Sequence, residues 1–245
     1  MPEDRPFQPG DRLNIFGPSR MMIRLGIGAP ECLIYSPDGH VVIPIPLGTQ
    51  ETNAFAPGAF AMGRGGCFVR PATDKELRAY RNLALNPWDV RGRLGLFPHA
   101  SSNSECRDDP VFAARNAIDG AIANQNHGGW PAQSWGPEQR ADLWWKLEFG
   151  RPVEIDKLVI YIRADFPHDK HWNSAKVRFS DGSSLDIKLR KTAEPQTFAF
   201  DKRTVAWFQL DGLTQELPLG WCGLTEVQAF GRDASQPVPN AGNTQ

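Results

Sequence analysis

Alternation of apolar and polar residues with a period of two is the feature that most constrains the fold. In residues 143–149 every second side chain is Leu, Trp, Leu or Phe, as in a strand with one buried face. Residues 158–162 are apolar on both faces, which is typical of a central strand. Residues 176–180 and 183–189 flank an Asp-Gly turn, which predicts a hairpin. Further strands are predicted at 197–200, 205–210 and 224–230. Many short strands, frequent turns and little helix indicate an antiparallel β-sandwich.

Shorter strands precede this pattern. Residues 21–27 alternate with the same period of two. Residues 32–35 and 41–43 flank the sequence Ser-Pro-Asp-Gly at 36–39, which predicts a hairpin because proline presets the turn and glycine supplies a positive φ. Residues 47–66 are rich in Gly, Ala and Pro and predict a loop.

One helix is expected in the N-terminal part. Thr73 and Glu76 have the spacing of a capping box, and Asn86 before Pro87 is a stop signal, so we predict a helix of two to three turns. Gly- and Arg-rich residues follow up to residue 95. The predicted organisation is a smaller N-terminal β-rich domain with one short helix at 1–95, a β-sandwich at 96–232 and a disordered tail at 233–245.

Net charge and cysteine spacing argue against several functions. With 27 basic and 28 acidic side chains the formal net charge is −1, so neither nucleic acid nor a membrane surface is an expected partner. The four cysteines lack zinc-type spacing and are expected to be reduced structural thiols. The polar N-terminus shows no recognisable signal peptide or membrane span, and a cytoplasmic location is expected by default. The sequence leaves the oligomeric state open.

Three loops of the predicted sandwich combine tryptophan with polar or charged side chains: residues 121–140, 163–174 and 214–223. A sugar ring needs an aromatic face and planar polar groups for its hydroxyls. We therefore expect a glycan or a small sugar as the ligand. The predicted ligand residues are two platforms and four polar partners: Trp130, Trp172, His127, Arg163, Asp165 and His168. Each platform could instead be a packing residue, and Trp145 and Trp207 are expected in the core.

Two other functions remain open. The first is an enzyme acting on a sugar or a sugar derivative through an acid, base or metal group formed by His127, Asp165, His168 and His171. Its histidines lack the i, i+4 helical spacing of zinc proteases, and no Gly-x-Ser-x-Gly sequence occurs. An ion pair between Arg163 and Asp165 in a solvated loop is the simpler alternative. The second is a protein-interaction module whose aromatic loops pack on a partner.

Residues 116–120 read Asn-Ala-Ile-Asp-Gly, and the tryptophan-bearing strand that follows closes on Phe149 and Gly150. On these motifs, residues 96–232 resemble the coagulation factor 5/8 type C, or discoidin, domain. The resemblance implies an all-β fold with a galactose-binding-like antiparallel β-sandwich of the jelly-roll type. It also implies non-catalytic binding of glycans. Residues 1–95 show no such resemblance.

The resemblance further implies a structural calcium ion beside the Asn-Ala-Ile-Asp-Gly turn. Asp119 and Glu226 match the two acidic ligands, and Asn124 could add a neutral oxygen. Ala121 stands where relatives often carry a second aspartate, so the site has one charge fewer. Calcium requires a cage of about six to eight oxygens, which suits these residue types. The alternative role for Asp119 is to stabilise its own turn.

Overall fold

The structure of the protein is a computed structural model that describes residues 7–26, 29–60, 67–92 and 95–234. Strands dominate these ranges, and all their pairings are antiparallel. The N-terminal strands are β1 (Arg12–Phe16), β2 (Arg20–Leu25), β3 (Cys32–Tyr35), β4 (His40–Pro44), β5 (Cys67–Pro71) and β6 (Arg81–Asn82). The remaining strands are β7 (His99–Ser102), β8 (Trp145–Ile162), β9 (Ser174–Phe179), β10 (Ser184–Lys188), β11 (Gln196–Thr214) and β12 (Leu224–Asp233). The all-β prediction is confirmed.

Helices are short. The α-helices are α1 (Thr49–Thr52) and α2 (Asp74–Arg78), and the 3-10 helices are Cys106–Asp108, Pro110–Phe112 and Ala114–Ile118. No helix in the described ranges is long and apolar enough to cross a bilayer.

Two long strands, β8 and β11, organise the C-terminal sheet, in which the strands follow the order β10-β9-β11-β8-β12-β6 and β7 pairs with β8. The first part of β8 lies between β7 and β11, whereas its second part lies between β12 and β11. Gly150, with a φ of 69°, lies where the pairing of β8 with β11 is interrupted. The strands of this sheet contribute to one apolar cluster that includes Trp145, Phe149, Ile160 and Phe208. The neighbour of β8 on one side therefore changes from β7 to β12 along its length, while β11 stays on the other side.

The period-two signals are confirmed in this sheet. Trp145, Leu147 and Phe149 are all fully buried on one face of β8. The predicted hairpin is formed by β9 and β10, with Ser184 opposite Arg178. The strands predicted at 197–200 and 205–210 are one strand, β11, whose register shifts between Ala199 and Arg203. A shift of this kind bends a strand without ending it.

The hairpin predicted across residues 36–39 is wrong. The Ser36–Gly39 turn forms, with the Gly39 amide donating to the Ser36 carbonyl at 3.1 Å, but β3 pairs with β2 and β4 pairs with β1. Gly17 also donates to the Gly39 carbonyl, at 2.9 Å, so the two corners of the chain lie side by side. The turn therefore marks the point where a long bent hairpin leaves the three-stranded sheet β3-β2-β5 for the two-stranded sheet β1-β4.

The predicted helix begins where expected and ends early. Thr73 and Glu76 form the capping box: the Thr73 amide donates to Glu76 Oε2 at 2.8 Å and Thr73 Oγ1 accepts from the Glu76 amide at 3.4 Å. The predicted length of two to three turns is wrong, because α2 has five residues. The chain then forms β6 beside β12, and Ala84 is buried in the C-terminal cluster. Helix α1 lies in the segment predicted as loop, of which residues 61–66 lie outside the described residues.

Packing crosses the predicted domain boundary near residue 95. A second apolar cluster, which includes Met21 and Trp88, occupies the N-terminal part, while Leu83 belongs to the C-terminal cluster. Tyr35 and Phe97 exchange two backbone hydrogen bonds of 2.9 Å. The boundary itself stays a prediction. The predicted tail begins at Asp233, which is the last residue of β12, and residues 235–245 lie outside the described residues.

Candidate functional site

An open pocket lies among the loops that the sequence singled out. Its lining combines aromatic, cationic and imidazole side chains: Cys106, Arg107, Phe112, His127, Gly136, Arg163, His168 and Trp221. These residues come from the 3-10 segment before the Asn-Ala-Ile-Asp-Gly turn, from the loop after that turn, and from the loops that follow β8 and β11. A Cβ on Gly136 would lie 2.7 Å from the Phe112 ring, so glycine at this position allows the backbone to pack against Phe112 in the pocket lining.

A buried ion pair forms the base of the pocket. Arg163 donates from Nε and Nη2 to the two carboxylate oxygens of Asp169 at 2.8 and 2.7 Å. Both residues are buried, at 4% and 2% exposure. The predicted Arg163–Asp165 pair is therefore wrong, since Asp169 takes the guanidinium in a two-pronged contact, the strongest geometry for such a pair. The Asp165 amide also donates to Asp169 Oδ2, at 3.3 Å, which ties the loop to this base.

His127, Asp165 and His168 converge at the rim of the pocket. His127 Nδ1 lies 2.6 Å from Asp165 Oδ2, and His168 Nδ1 lies 3.9 Å from the same oxygen. The two imidazole rings stack at 4.6 Å with an interplanar angle of 10°. His171 is absent from this group of close ligand atoms among the described residues. Burial, followed by the nearby Lys191, lowers the pKa of His171.

The structure separates the two predicted platforms. Trp172 is 1% exposed and stacks on Trp135 at 5.5 Å inside the core, so it cannot be a stacking surface for a ligand. Trp130 is 38% exposed and lines a different cavity, of about 310 Å³, beside Phe55 and Trp88. Its amide donates to the Asn53 carbonyl at 2.8 Å, which ties its loop to the N-terminal part.

The two tryptophans predicted in the core also differ. Trp145 is fully buried, as predicted, and donates from Nε1 to the Ala114 carbonyl. Trp207 lies on the outer face of β11, half-buried, with Lys146 Nζ 5.0 Å from its ring centroid. The core prediction for Trp207 is therefore wrong.

Three buried side chains surround the Asn-Ala-Ile-Asp-Gly turn. Asp119, Gln133 and Glu226 are 6%, 0% and 0% exposed. Gln133 Nε2 donates to Asp119 Oδ2 at 2.7 Å, and the Gly120 amide donates to Glu226 Oε2 at 3.1 Å. Gln133 Oε1 and Glu226 Oε1 accept no hydrogen bond of ordinary geometry from the residues that the structure describes. Two acids and an amide thus leave acceptor oxygens unsatisfied in a buried place.

Burial dominates the electrostatics of this acid pair. It raises the pKa of Asp119 to about 6, against the opposing charge of Arg115. Burial and then the Asp119 charge raise the pKa of Glu226 well above its ordinary value. Carboxylates in such a place are stable only when protonated or when a cation balances them.

Asn124, the third predicted metal ligand, has a different set of contacts. Its amide nitrogen donates to the carbonyls of Ile162 and Ala193 at 3.0 and 2.8 Å. The side-chain amide that contacts Asp119 is that of Gln133. The structure thus assigns Asn124 to loop bridging and brings Gln133 to the acidic turn.

Several residues of these sites escaped the sequence analysis. Phe112 and Arg107 stand in 3-10 segments with no strand or helix pattern, and Gln133 precedes a tryptophan with no motif of its own. Trp221 belongs to the loop at residues 214–223, one of the three tryptophan-bearing loops noted in the sequence. Its place in that loop was the signal for a role in binding. Proximity across the fold, rather than local pattern, brings these side chains together.

Comparison with solved structures finds similar chains at low identity. The F5/8 type C domain of a Bacteroides fragilis protein is 20% identical, with a TM-score of 0.42, over 55% of this chain and 91% of that one. The family 32 carbohydrate-binding module of Clostridium perfringens NanJ, solved with galactose, gives 16% and 0.42 over 54% and 91%. Chitosan-binding module 1 of a Paenibacillus sp. IK-5 chitosanase/glucanase gives 19% and 0.43 over 61% and 98%.

No curated protein matches the chain significantly. A family model, described as Domain of unknown function (DUF7402), matches residues 97–230, which is more than half of the chain. The matched range contains the open pocket, the His127, Asp165 and His168 group, and the buried acid pair. The chain therefore belongs to the DUF7402 family.

Proposed function

We propose that this protein binds a glycan without catalysis, in the open pocket between the loops of the C-terminal sheet. The observation that carries the proposal is the lining: Phe112 and Trp221 offer apolar ring surfaces beside Arg107, His127 and His168. Ring faces suit the C–H side of a sugar, and the cationic and imidazole groups suit its hydroxyl or carboxylate groups. Of the solved modules named above, one was solved with galactose and another is a chitosan-binding module. For this chain the proposal is limited to the class, a glycan.

Within the proposed site, the residues have separate roles. Trp221 takes the platform role that the sequence suggested for Trp172. Arg163 is committed to Asp169 and shapes the floor, whereas Asp165 orients His127 through their 2.6 Å contact. His127 and His168 are polar groups available to a ligand, since their side chains are 37% and 49% exposed.

Glycan-array screening followed by calorimetry on the full chain tests the proposal. We expect Trp221→Ala to weaken binding by about tenfold or more, as removal of a central aromatic contact usually does. Trp207→Ala is the matched control, because Trp207 is also half-buried but lies on the outer face of β11. Trp130→Ala tests the other cavity.

The outcomes separate the possibilities. Loss of binding with Trp221→Ala alone supports the pocket. Loss with Trp130→Ala alone would move the ligand to the cavity beside Phe55 and Trp88. Absence of binding to any neutral or acidic glycan would overturn the proposal.

We also propose a structural calcium ion at the buried acid pair. Asp119, Glu226 and Gln133 would supply carboxylate and amide oxygens, the donors that calcium prefers. The support is the pair of acceptor oxygens, Gln133 Oε1 and Glu226 Oε1, that accept no hydrogen bond of ordinary geometry within the described ranges. Bound calcium would balance the two carboxylates and fix the turn at residues 116–120. A higher thermal midpoint in calcium than in chelator is expected, since a ligand that binds only the folded state stabilises it.

A further inference from the structure

The exposed rim of the pocket has the composition of a transition-metal site. Among the described residues, His127, Asp165 and His168 each place one potential ligand atom so that all three atoms lie within 4.8 Å of one another. We propose that these side chains bind one divalent transition-metal ion of the zinc type. The proposal goes beyond glycan binding and does not depend on it.

The distances favour a common ligand centre. Zinc bonds to nitrogen and carboxylate oxygen are about 2.0–2.2 Å, so tetrahedral ligand atoms stand about 3.4 Å apart. Asp165 Oδ2 lies 2.6 Å from His127 Nδ1 and 3.9 Å from His168 Nδ1, values on either side of that separation. The stacked rings, 4.6 Å apart at 10°, set the two imidazole edges side by side. Small side-chain rotations would bring the three atoms around one ion.

The backbone beneath the group is held in place. Asp169 binds Arg163 through both carboxylate oxygens, accepts from the Asp165 amide at 3.3 Å, and donates its own amide to the Asp165 carbonyl at 2.8 Å. His168 Nδ1 also lies 3.2 Å from Asp169 Oδ1, a contact that a metal bound at Nδ1 would replace. Asp165 and His168 are therefore presented by a loop anchored to a buried ion pair.

The donor set selects the kind of metal. Two imidazoles and one carboxylate suit zinc, cobalt, nickel or copper, whereas calcium and magnesium prefer oxygen alone. The three side chains are 37%, 26% and 49% exposed, so an ion can reach them from solvent. Three protein ligands leave at least one position open, as in catalytic zinc sites. His127 and His168 also line the pocket in which Trp221 lies.

Calorimetry with zinc chloride and visible absorption with cobalt(II), both on the full chain, test the proposal. We expect one ion per chain, and His168→Ala, His127→Ala or Asp165→Asn to weaken zinc binding by about tenfold or more, at least the loss typical when even an outer partner of a metal ligand is removed. His171→Ala is the matched control, since His171 lies on the same segment but outside the group. It should leave the affinity unchanged. Thermal melts of the metal-free variants check that each still folds.

Two results would overturn the proposal. One is that the wild-type chain binds neither zinc nor cobalt(II) at millimolar concentration. The other is that the double variant His127→Ala/His168→Ala retains wild-type affinity, which would place the ion elsewhere. Glycan binding measured in chelator separates this proposal from the previous one. If the chain binds glycan without metal, failure of the metal proposal leaves the glycan proposal intact, and the reverse also holds.

Discussion

At the scale of the residue, Glu226 carries the sharpest conflict between burial and charge. It is fully buried, and burial followed by the Asp119 charge raises its pKa well above the ordinary value. A neutral amide of the same shape would remove the repulsion, but it would also remove a charged ligand. The same substitution should therefore have opposite effects with and without calcium.

Glu226→Gln tests this directly. In chelator the variant should melt at or above the wild-type temperature, because the buried charge is gone. In calcium it should lose most of the stabilisation that the wild type gains. Glu216→Gln, an exposed change on the loop before β12, should alter neither melt. A wild type whose thermal midpoint ignores calcium, or a variant that keeps the full calcium effect, would contradict the calcium proposal.

Single residues also differ in whether their surroundings could be predicted from the sequence. Trp145 was correctly assigned to the core because its own strand alternates, whereas Trp172 was misassigned because its burial depends on Trp135, 37 positions away in the chain. Arg163 likewise pairs with Asp169 rather than Asp165, since the loop turns back on itself between them. Local pattern predicts which face of a strand is buried. It does not predict the partner of a loop residue.

At the level of secondary-structure elements, the positions of strands and turns were predictable from the sequence, but the pairing of the strands was predicted correctly in only some cases. The hairpin predicted around Asp181 and Gly182 was correct because two strands of matched period meet at a short turn, although the register leaves three residues, 180–182, between the last pair rather than two. The Ser36–Gly39 turn has equally strong chemistry, yet it forms the corner of a bent hairpin because Gly17 fits against Gly39. A Cβ on Gly39 would lie 2.0 Å from the Gly17 carbonyl oxygen. Turn residues therefore predict a change of chain direction. Whether the two flanking strands pair with each other depends on contacts with other segments of the chain.

Helix α2 provides a test at this scale. It has five residues, none buried, so its capping box is a main source of its order. Thr73→Ala should destabilise it by about 1 kcal/mol, seen as faster amide exchange at residues 75–78. Thr73→Ser, which keeps the hydroxyl, is the control and should exchange almost as slowly as the wild type. Equal exchange rates in all three proteins would show that Arg70, which binds both carboxylate oxygens of Glu76, holds the helix without the cap.

At the scale of the whole molecule, Asp233 joins distant parts of the chain. It ends β12 and pairs with Arg20 on β2, Arg81 on β6 and Arg151 on β8, at 3.1, 3.0 and 2.7 Å. Its side chain is 10% exposed, and that of Arg151 is 5% exposed. Ion pairs of this kind link the N-terminal strands to the C-terminal sheet across the predicted boundary. The last residue of the final strand therefore contributes to holding both parts together.

The pH dependence of stability follows from this carboxylate. Burial raises the pKa of Asp233, but the hydrogen bond and charge of Arg151, the charge of Arg81 and the hydrogen bond of Arg20 lower it more, and the net pKa falls below the ordinary value. A folded-state pKa below that of the unfolded chain means that the carboxylate stabilises the fold above about pH 4. That contribution is lost as the pH falls through the folded-state value.

Asp233→Asn should therefore lower the free energy of unfolding by roughly 3 kcal/mol at pH 7, because three arginines lose their buried partner. The deficit should shrink as urea titrations are taken below pH 4, because the unfolded wild-type chain then binds a proton at Asp233 that the folded chain binds only at lower pH. Asp211→Asn is the control: its partner Arg178 is 54% exposed, and exposed pairs contribute about 1 kcal/mol or less. A deficit that stays constant or grows toward pH 3 would mean that Asp233 stabilises the fold through its shape and hydrogen bonds rather than through its charge.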